Sequence, residues 1–263
     1  MSLKEKDISI IIPCFNARAE HLQEAVNSVT AYNGKFIYEI VITDDGSTSV
    51  ETIALLNEYE RQNITVIRQE NKGPSAARNN AVYHSTGHYL LCLDSDNAIR
   101  PEYIDEGIAA LASNPKAAVA YGNANFIGEI SRSFFAGKFD IEKLLTENYI
   151  DMCAVIKKEA WENVGGLDEN LIRHEDWEFW IRLFKAGWEF VYLDKALFDY
   201  RIRTGSLMSQ TSPHNFEEII AYLYKKHWNV VFTSYQKLYG TKIIYMNDKK
   251  RPFHSFIKYL LKK

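Results

Sequence analysis

Two aspartates, Asp94 and Asp96, follow directly on the apolar run Tyr89-Leu90-Leu91-Cys92-Leu93. Carboxylates at that spacing concentrate negative charge at one spot. Such hard oxygen ligands suit Mg2+ or Mn2+, and such an ion suits a diphosphate. Asp and Asn also build turns and helix caps, and Pro101-Glu102 opens a helix soon after, so the pair alone does not separate the two readings. Its weight comes from its company. Three other apolar runs lead to polar loops: Pro13-Cys14-Phe15-Asn16, Asp44-Asp45-Gly46-Ser47 and Asn71-Lys72-Gly73-Pro74-Ser75. A carboxylate at 44 or 45 can accept the imide N–H of uracil, thymine or guanine, which cytosine lacks, or it can hold a turn. Gly73 to Asn79 opens a helix with small residues, and helix N-termini receive phosphate. Arg78 can pair with an acid of the site or with phosphate, or stand on the surface. Later, His174-Glu175-Asp176-Trp177 puts two acids in a first helical turn. Either can take a proton from a hydroxyl if that turn faces the metal site. The helix dipole favours acids there for stability alone.

The elements that must position these residues alternate in type. Strand-like runs at 8–12, 36–43, 64–67, 89–93 and 117–121 interleave with helical spacing at 20–31, 50–61, 74–85 and 101–113. Short apolar strands between amphipathic helices predict a mostly parallel sheet covered on both faces, an α/β/α three-layer sandwich. In such sheets ligands bind beyond the carboxyl ends of the strands, so the four polar loops are expected at one edge. Residues 122–150 carry little periodicity. A short strand at 152–156, a helix at 158–164, a helix at 176–185 stopped by Gly187, and strands at 189–193 and 197–203 follow. From Pro213 the pattern is helical to the end.

Taken as a set, these motifs resemble the family 2 glycosyltransferases of GT-A fold. The resemblance rests on Ile10 to Asn16, Asp44-Asp45-Gly46-Ser47, Asn71-Lys72-Gly73 with Ala77-Arg78-Asn79, Leu93 to Asn97, and Gly165-Gly166-Leu167-Asp168-Glu169 before His174-Glu175-Asp176-Trp177. It covers about residues 7–210. It implies a GT-A domain over 1–210, with a nucleotide-sugar half at about 7–122 and an acceptor half at about 123–210, and a helical C-terminal extension over 211–263. It implies an inverting transferase that uses a nucleotide-sugar, most readily a UDP-sugar, and Mn2+ or Mg2+. Pro13, Phe15, Asn16, Asp44, Gly73, Arg78, Asp94 and Ser95 would then hold the nucleotide-sugar. Asp96, with Asp94, would face the metal, and Asp176 would be the catalytic base. Glu175, Trp177 and His174 are candidate acceptor contacts, although a Trp in an amphipathic helix, Trp180 included, also suits a core. One departure stands out. The family pattern Tyr-Arg-x-His reads Tyr200-Arg201-Ile202-Arg203 here. Arginine cannot ligate a cation but can clamp a diphosphate, so Arg203 is either a leaving-group contact or a solvated strand end. The Gln-x-x-Arg-Trp signature of processive synthases is absent, which favours single additions to a glycan or lipid-linked acceptor.

Composition sets the outer bounds. The chain of 263 residues is 46% hydrophobic and 25% charged, with a formal charge of −3. That is globular usage without the basic excess that would hold nucleic acid. Cys14, Cys92 and Cys153 lie far apart and read as free thiols in a reducing compartment. The polar N-terminus and the lack of any bilayer-length apolar run give the expectation of a cytoplasmic protein. Lys249 to Lys263 holds six Lys or Arg and no acid, with Phe253, Phe256, Ile257, Leu260 and Leu261 at helical spacing. Such a helix can lie peripherally on the inner face of a membrane or pack on the domain. Two rival functions remain. A sugar-nucleotide pyrophosphorylase would need a glycine-rich basic loop after the first strand, and none is present. A non-catalytic nucleotide-sugar-binding module would bind UDP without transfer.

Overall fold

The computed structural model describes residues 6–204 and 213–240. The first half alternates as expected: β1 (Lys6–Cys14), α1 (Ala19–Thr30), β2 (Tyr38–Asp44), α2 (Val50–Arg61), β3 (Thr65–Arg68), α3 (Pro74–His84) and β4 (Gly87–Cys92). β1 pairs in parallel with both β2 and β4, and β2 in parallel with β3. Their carboxyl ends therefore share one edge, and all four polar loops lie there. Ile8, Ile10, Ile11 and Ile12 are fully buried, because helices cover both faces. Ile8, Ile10 and Ile12 pack into one core with Leu22, Val26 and Val29 of α1 and Leu56 of α2. On the other face α3 lies against β1 and β2.

The second half departs from simple alternation. It contains β5 (Ala98–Ile99), α4 (Glu102–Ser113), β6 (Ala117–Gly128), β7 (Arg132–Phe134), β8 (Val155–Lys157), α6 (Lys158–Asn163), α7 (Glu175–Lys185) and β9 (Glu189–Ile202). Strand order is β3-β2-β1-β4-β8-β6-β9-β5, with β7 on β6. β6 and β9 are parallel, whereas β8 is antiparallel to both β4 and β6, and β5 is antiparallel to β9. The parallel half thus continues into a mixed one. The two strands expected at 189–193 and 197–203 are one long strand, irregular beside Gly122 and Asn123. β5 and β7 were not foreseen; segments of two and three residues carry no readable period.

The described residues fall into two compact units: residues 6–139 with 149–204, and residues 140–148 with 213–240. The second contains α5 (Ile141–Leu144), α8 (Pro213–Lys226) and α9 (Trp228–Gly240). Within it, Tyr224 donates to the Leu145 carbonyl at 3.0 Å and Lys237 pairs with Glu142 at 2.8 Å. The basic stretch 249–263 lies outside the described residues. Among the described residues, no helix is long and apolar enough to cross a membrane.

Candidate active site

The β2–α2 turn separates the two acids that the sequence left equivalent. Asp45 spends both carboxylate oxygens on structure, accepting from Gln69 Nε2, Lys72 N and Gly73 N, each at 2.8 Å. Among the described residues the Asp44 carboxylate accepts from Ser47 N alone, at 2.9 Å through Oδ1, which leaves Oδ2 for another donor. Gly46 makes this turn at φ +78°, and a Cβ there would sit 2.9 Å from Asn71 N. Asn16, at φ 48°, ties the first loop to the second: its Oδ1 accepts from Thr48 N and Ser49 N at 2.8 Å. Asn16 therefore shapes the rim with the carbonyl end of its side chain. Phe15 beside it is 51% exposed, an aromatic face free to stack on a base, and Pro13 is half-buried next to it.

α3 does more than present its N-terminus. Gly73 caps it at φ +90° with no atom within 4 Å of a would-be Cβ, which leaves an open approach. From there the helix sends a row of side chains to the segment that leads into α7. Ser75 Oγ donates to Leu171 O at 2.8 Å. Asn79 donates to Leu167 O at 2.9 Å and accepts from Leu167 N at 2.8 Å. Gly166 makes this approach possible: it sits at φ +72°, and a Cβ would meet Asn79 Oδ1 at 2.6 Å. Arg78, almost fully buried, bonds Glu175 Oε1 at 2.6 Å and Asp94 Oδ1 at 2.5 Å. One guanidinium thus bridges the acid pair after β4 to the acid pair that opens α7.

Charge follows this geometry. Burial alone would lower the Arg78 pKa, but Asp94 and Glu175 overcome it and hold the guanidinium charged. Burial pushes Glu175 up, Arg78 pulls it down, and Asp176 and Asp94 push it up again. Burial outweighs the Arg78 cation, and the two anions add to it, so the net direction is upward. Asp176 is partly exposed, and its Oδ1 accepts from Trp177 N at 2.8 Å. His174, buried before it, holds a left-handed backbone at φ 56° that turns the chain into α7, and burial lowers its pKa. Trp177 and Trp180 are 1% and 0% exposed. Such rings offer no face to a sugar, which corrects the acceptor contact expected of Trp177: the apolar stripe of α7 turns it into the core.

Asp94, Ser95 and Asp96 are all partly exposed. Asp96 Oδ2 accepts from Arg203 Nε at 2.8 Å, and its carbonyl accepts from Arg201 Nε at 2.9 Å. Arg201 also pairs with Glu24 of α1. Arg203 therefore meets the acidic loop rather than ending in solvent. No group of three or more His, Cys, Asp or Glu that could hold a metal ion occurs among the described residues. Asp94 and Asp96 nonetheless each give a single oxygen to an arginine. The remaining oxygens fit an ion that draws its other ligands from a diphosphate and water. Burial raises the pKa of Cys14 and Cys92 to about 12, so both stay as inert thiols.

Two further residues stand near these acids without having been singled out as site residues. Tyr200 sits where it feels Asp151, Asp94, Asp96 and Asp176, and burial first, then these acids, raises its pKa. Asp151, in the loop before β8, feels Asp94, Asp176 and Arg78. Asp151 comes from a stretch without periodicity or motif, whereas Tyr200 opens the Tyr200-Arg201-Ile202-Arg203 segment that the sequence marked for its arginines.

Acids and arginines gather at the carboxyl ends of the strands of this α/β sheet, the edge at which such sheets bind ligands. The chain belongs to glycosyl transferase family 2, whose model matches residues 9–165; that of glycosyl transferase family group 2 matches 89–261. An uncharacterized glycosyltransferase of Methanocaldococcus jannaschii is 24% identical over 84% of this chain and 79% of its own length. One from Haemophilus influenzae is 30% identical over 68% of this chain and 62% of its own. This chain thus spans less than two thirds of the second relative. The crystal structure of S. aureus TarS 1–349 in complex with UDP-GlcNAc superposes with a TM-score of 0.67 at 21% identity, over 82% of this chain and 66% of TarS. It shares the fold.

Proposed function

We propose that this glycosyltransferase moves one hexose or N-acetylhexosamine from a UDP-sugar to a hydroxyl of a glycan or lipid-linked acceptor, with inversion. The observation that carries the reading is the Arg78 bridge between Asp94 and Glu175. It ties the residue next to Asp176 to the first acid of the Asp94–Asp96 loop, which supports a reading with the base on one side and the donor on the other. Asp44 would accept the uracil imide N–H through its spare oxygen, with Phe15 stacked on the base. Gly73 and the start of α3 would receive the ribose or phosphate side, and Asp94 and Ser95 would line the donor. Asp94 and Asp96 would hold Mn2+ or Mg2+, which supplies neutralisation of the charge developing on the diphosphate. Arg203 would add a bidentate contact to the leaving group. Asp176 would accept the proton of the incoming hydroxyl. Glu175, its carboxylate given to Arg78, would position Asp176 rather than reach the acceptor, and His174 would shape the same turn.

The test is Asp176→Asn. UDP affinity by calorimetry stays at the wild-type level, while donor turnover, followed as UDP release, falls by at least ~100-fold. Turnover near the wild-type rate would assign the base elsewhere. UDP binding with no turnover by the wild type under any acceptor would favour the binding-module reading.

A further inference from the structure

β6 and β9 stay paired to their carboxyl ends, with Ile127 opposite Arg201 and Gly128 opposite Ile202. β5, which pairs with β9, packs against α1. The ends of β6 and β9 and the start of α1 therefore meet, and a cavity of about 360 Å³ opens between them. Among the described residues its walls include Arg18, His21, Glu129, Arg201, Arg203 and Thr204.

Three arginines thus share this cavity with one acid, and the acid is already engaged. Glu129 accepts from Thr204 N at 2.8 Å and from Thr204 Oγ1 at 3.0 Å, one bond to each carboxylate oxygen. Arg201 is held by the Asp96 carbonyl and by Glu24. Arg203 gives Nε to Asp96 at 2.8 Å, and its terminal nitrogens make no hydrogen bond among the described residues. Arg18, exposed at the N-cap of α1, makes no side-chain hydrogen bond or ion pair among the described residues. A cavity that keeps unspent guanidinium donors concentrates anions. Guanidinium forks grip phosphate oxygens two at a time, and two such forks suit the three terminal oxygens of a phosphate monoester better than the two of a carboxylate.

The topology sets this cavity apart from the nucleotide. The residues proposed for the uracil and ribose come from the ends of β1 and β2 and from the start of α3. In the strand order β3-β2-β1-β4-β8-β6-β9-β5, the Asp94–Asp96 loop follows β4, between those ends and the ends of β6 and β9. A donor laid from β2 to the acid loop brings its diphosphate to Asp96, and the cavity lies beyond. We propose that the cavity receives a phosphate group carried by the acceptor, so that the enzyme glycosylates a phosphorylated glycan or a lipid-linked phosphate in preference to a neutral sugar. The inference rests on the transferase reading above and names the class of acceptor within it.

Calorimetric titration of the full chain with glucose-6-phosphate, with and without saturating UDP and Mg2+, tests it. Glucose and glucuronate, which differ from the probe only at the same carbon, are the neutral and carboxylate controls. With UDP in place, the wild type binds glucose-6-phosphate at least about tenfold more tightly than either control, the scale of a hydrogen bond to a charged group. Arg18→Gln lowers that affinity about tenfold and leaves UDP affinity unchanged. Arg18→Glu abolishes phosphate binding and also spares UDP. Both variants keep the wild-type melting temperature, because the side chain they alter is bonded to nothing among the described residues. The proposal is overturned if glucose-6-phosphate binds no more tightly than glucose, or if glucuronate matches it. It is also overturned if saturating UDP excludes the probe, or if Arg18→Gln lowers UDP affinity by the same factor, since either result gives the cavity to the diphosphate of the donor. A wild type that binds no UDP overturns the transferase reading itself, and the proposal with it.

Discussion

Asp96 gives one carboxylate oxygen to Arg203, so a cation arriving at the other oxygen meets a carboxylate already half neutralised. A divalent ion there gains most when a diphosphate arrives with it. UDP should therefore raise the melting temperature more with Mn2+ than with a chelator, and Asp96→Asn should erase that difference without unfolding the chain. Equal stabilisation by UDP in both conditions would remove the metal from the site. Asp151 predicts a pH effect with a definite sign. Its ordinary value of 3.8 rises to about 8 in the folded chain. Between these values the folded state holds a proton that the unfolded state has lost, so this group's stabilisation is complete below pH 4 and fades as pH rises towards 8. Asp151→Asn, which cannot lose a proton, should flatten the fall in unfolding free energy between pH 5 and pH 8. An unchanged slope by urea denaturation at the two pH values would contradict the buried neutral acid.

At the level of elements, α3 acts as the post to which the entry of α7 is tied. Asn79 makes two hydrogen bonds to Leu167 and one to Glu169. Asn79→Ala should cost about 2 kcal/mol in unfolding free energy. It should also lower kcat more than UDP affinity, because the base moves while the donor loops do not. Hydrogen exchange over residues 167–176 should rise in the variant, and protection equal to the wild type would show that the tie is redundant. This role was only half legible in the sequence. The small residues of Gly73 to Asn79 signalled a helix opening towards a ligand, and Ile8 to Ile12 signalled a strand buried on both faces. Arg78 was left open between acid, phosphate and solvent, because its partners lie 16 and 97 residues away. Asp151 was invisible for a related reason. An acid in an aperiodic loop has meaning only once β8 is known to lie antiparallel to β4, and three residues are too few to announce a strand.

Across the whole chain, the four donor-side loops follow from alternation and strand polarity, whereas the C-terminal basic stretch 249–263 has only its pattern to speak for it. Its six Lys and Arg would each contribute about 1 kcal/mol at an anionic lipid surface, an attraction that fades with salt. A chain truncated after Tyr245 should therefore lose co-sedimentation with phosphatidylserine vesicles and keep its UDP affinity, since every proposed donor residue precedes Thr204. Vesicle binding that survives truncation would discard the membrane contact. A full chain that ignores vesicles, and a truncated one that melts earlier, would mean that the apolar stripe covers protein.

The Arg78–Glu175 pair also has a consequence in time. The strands that order these loops are complete by Cys92, although the β1–β4 pairing already spans 81 residues, Lys6 opposite Gly87. The acids of α7 are made later, and the contacts that tie them and their approach to α3 span 88 to 97 residues. On the ribosome, the parallel sheet and its loops can therefore assemble while α7 is still being made. A chain made only as far as α3 and β4 would carry the proposed donor-side loops with neither the proposed base nor Arg203, and the later segments would dock on an arginine already in place.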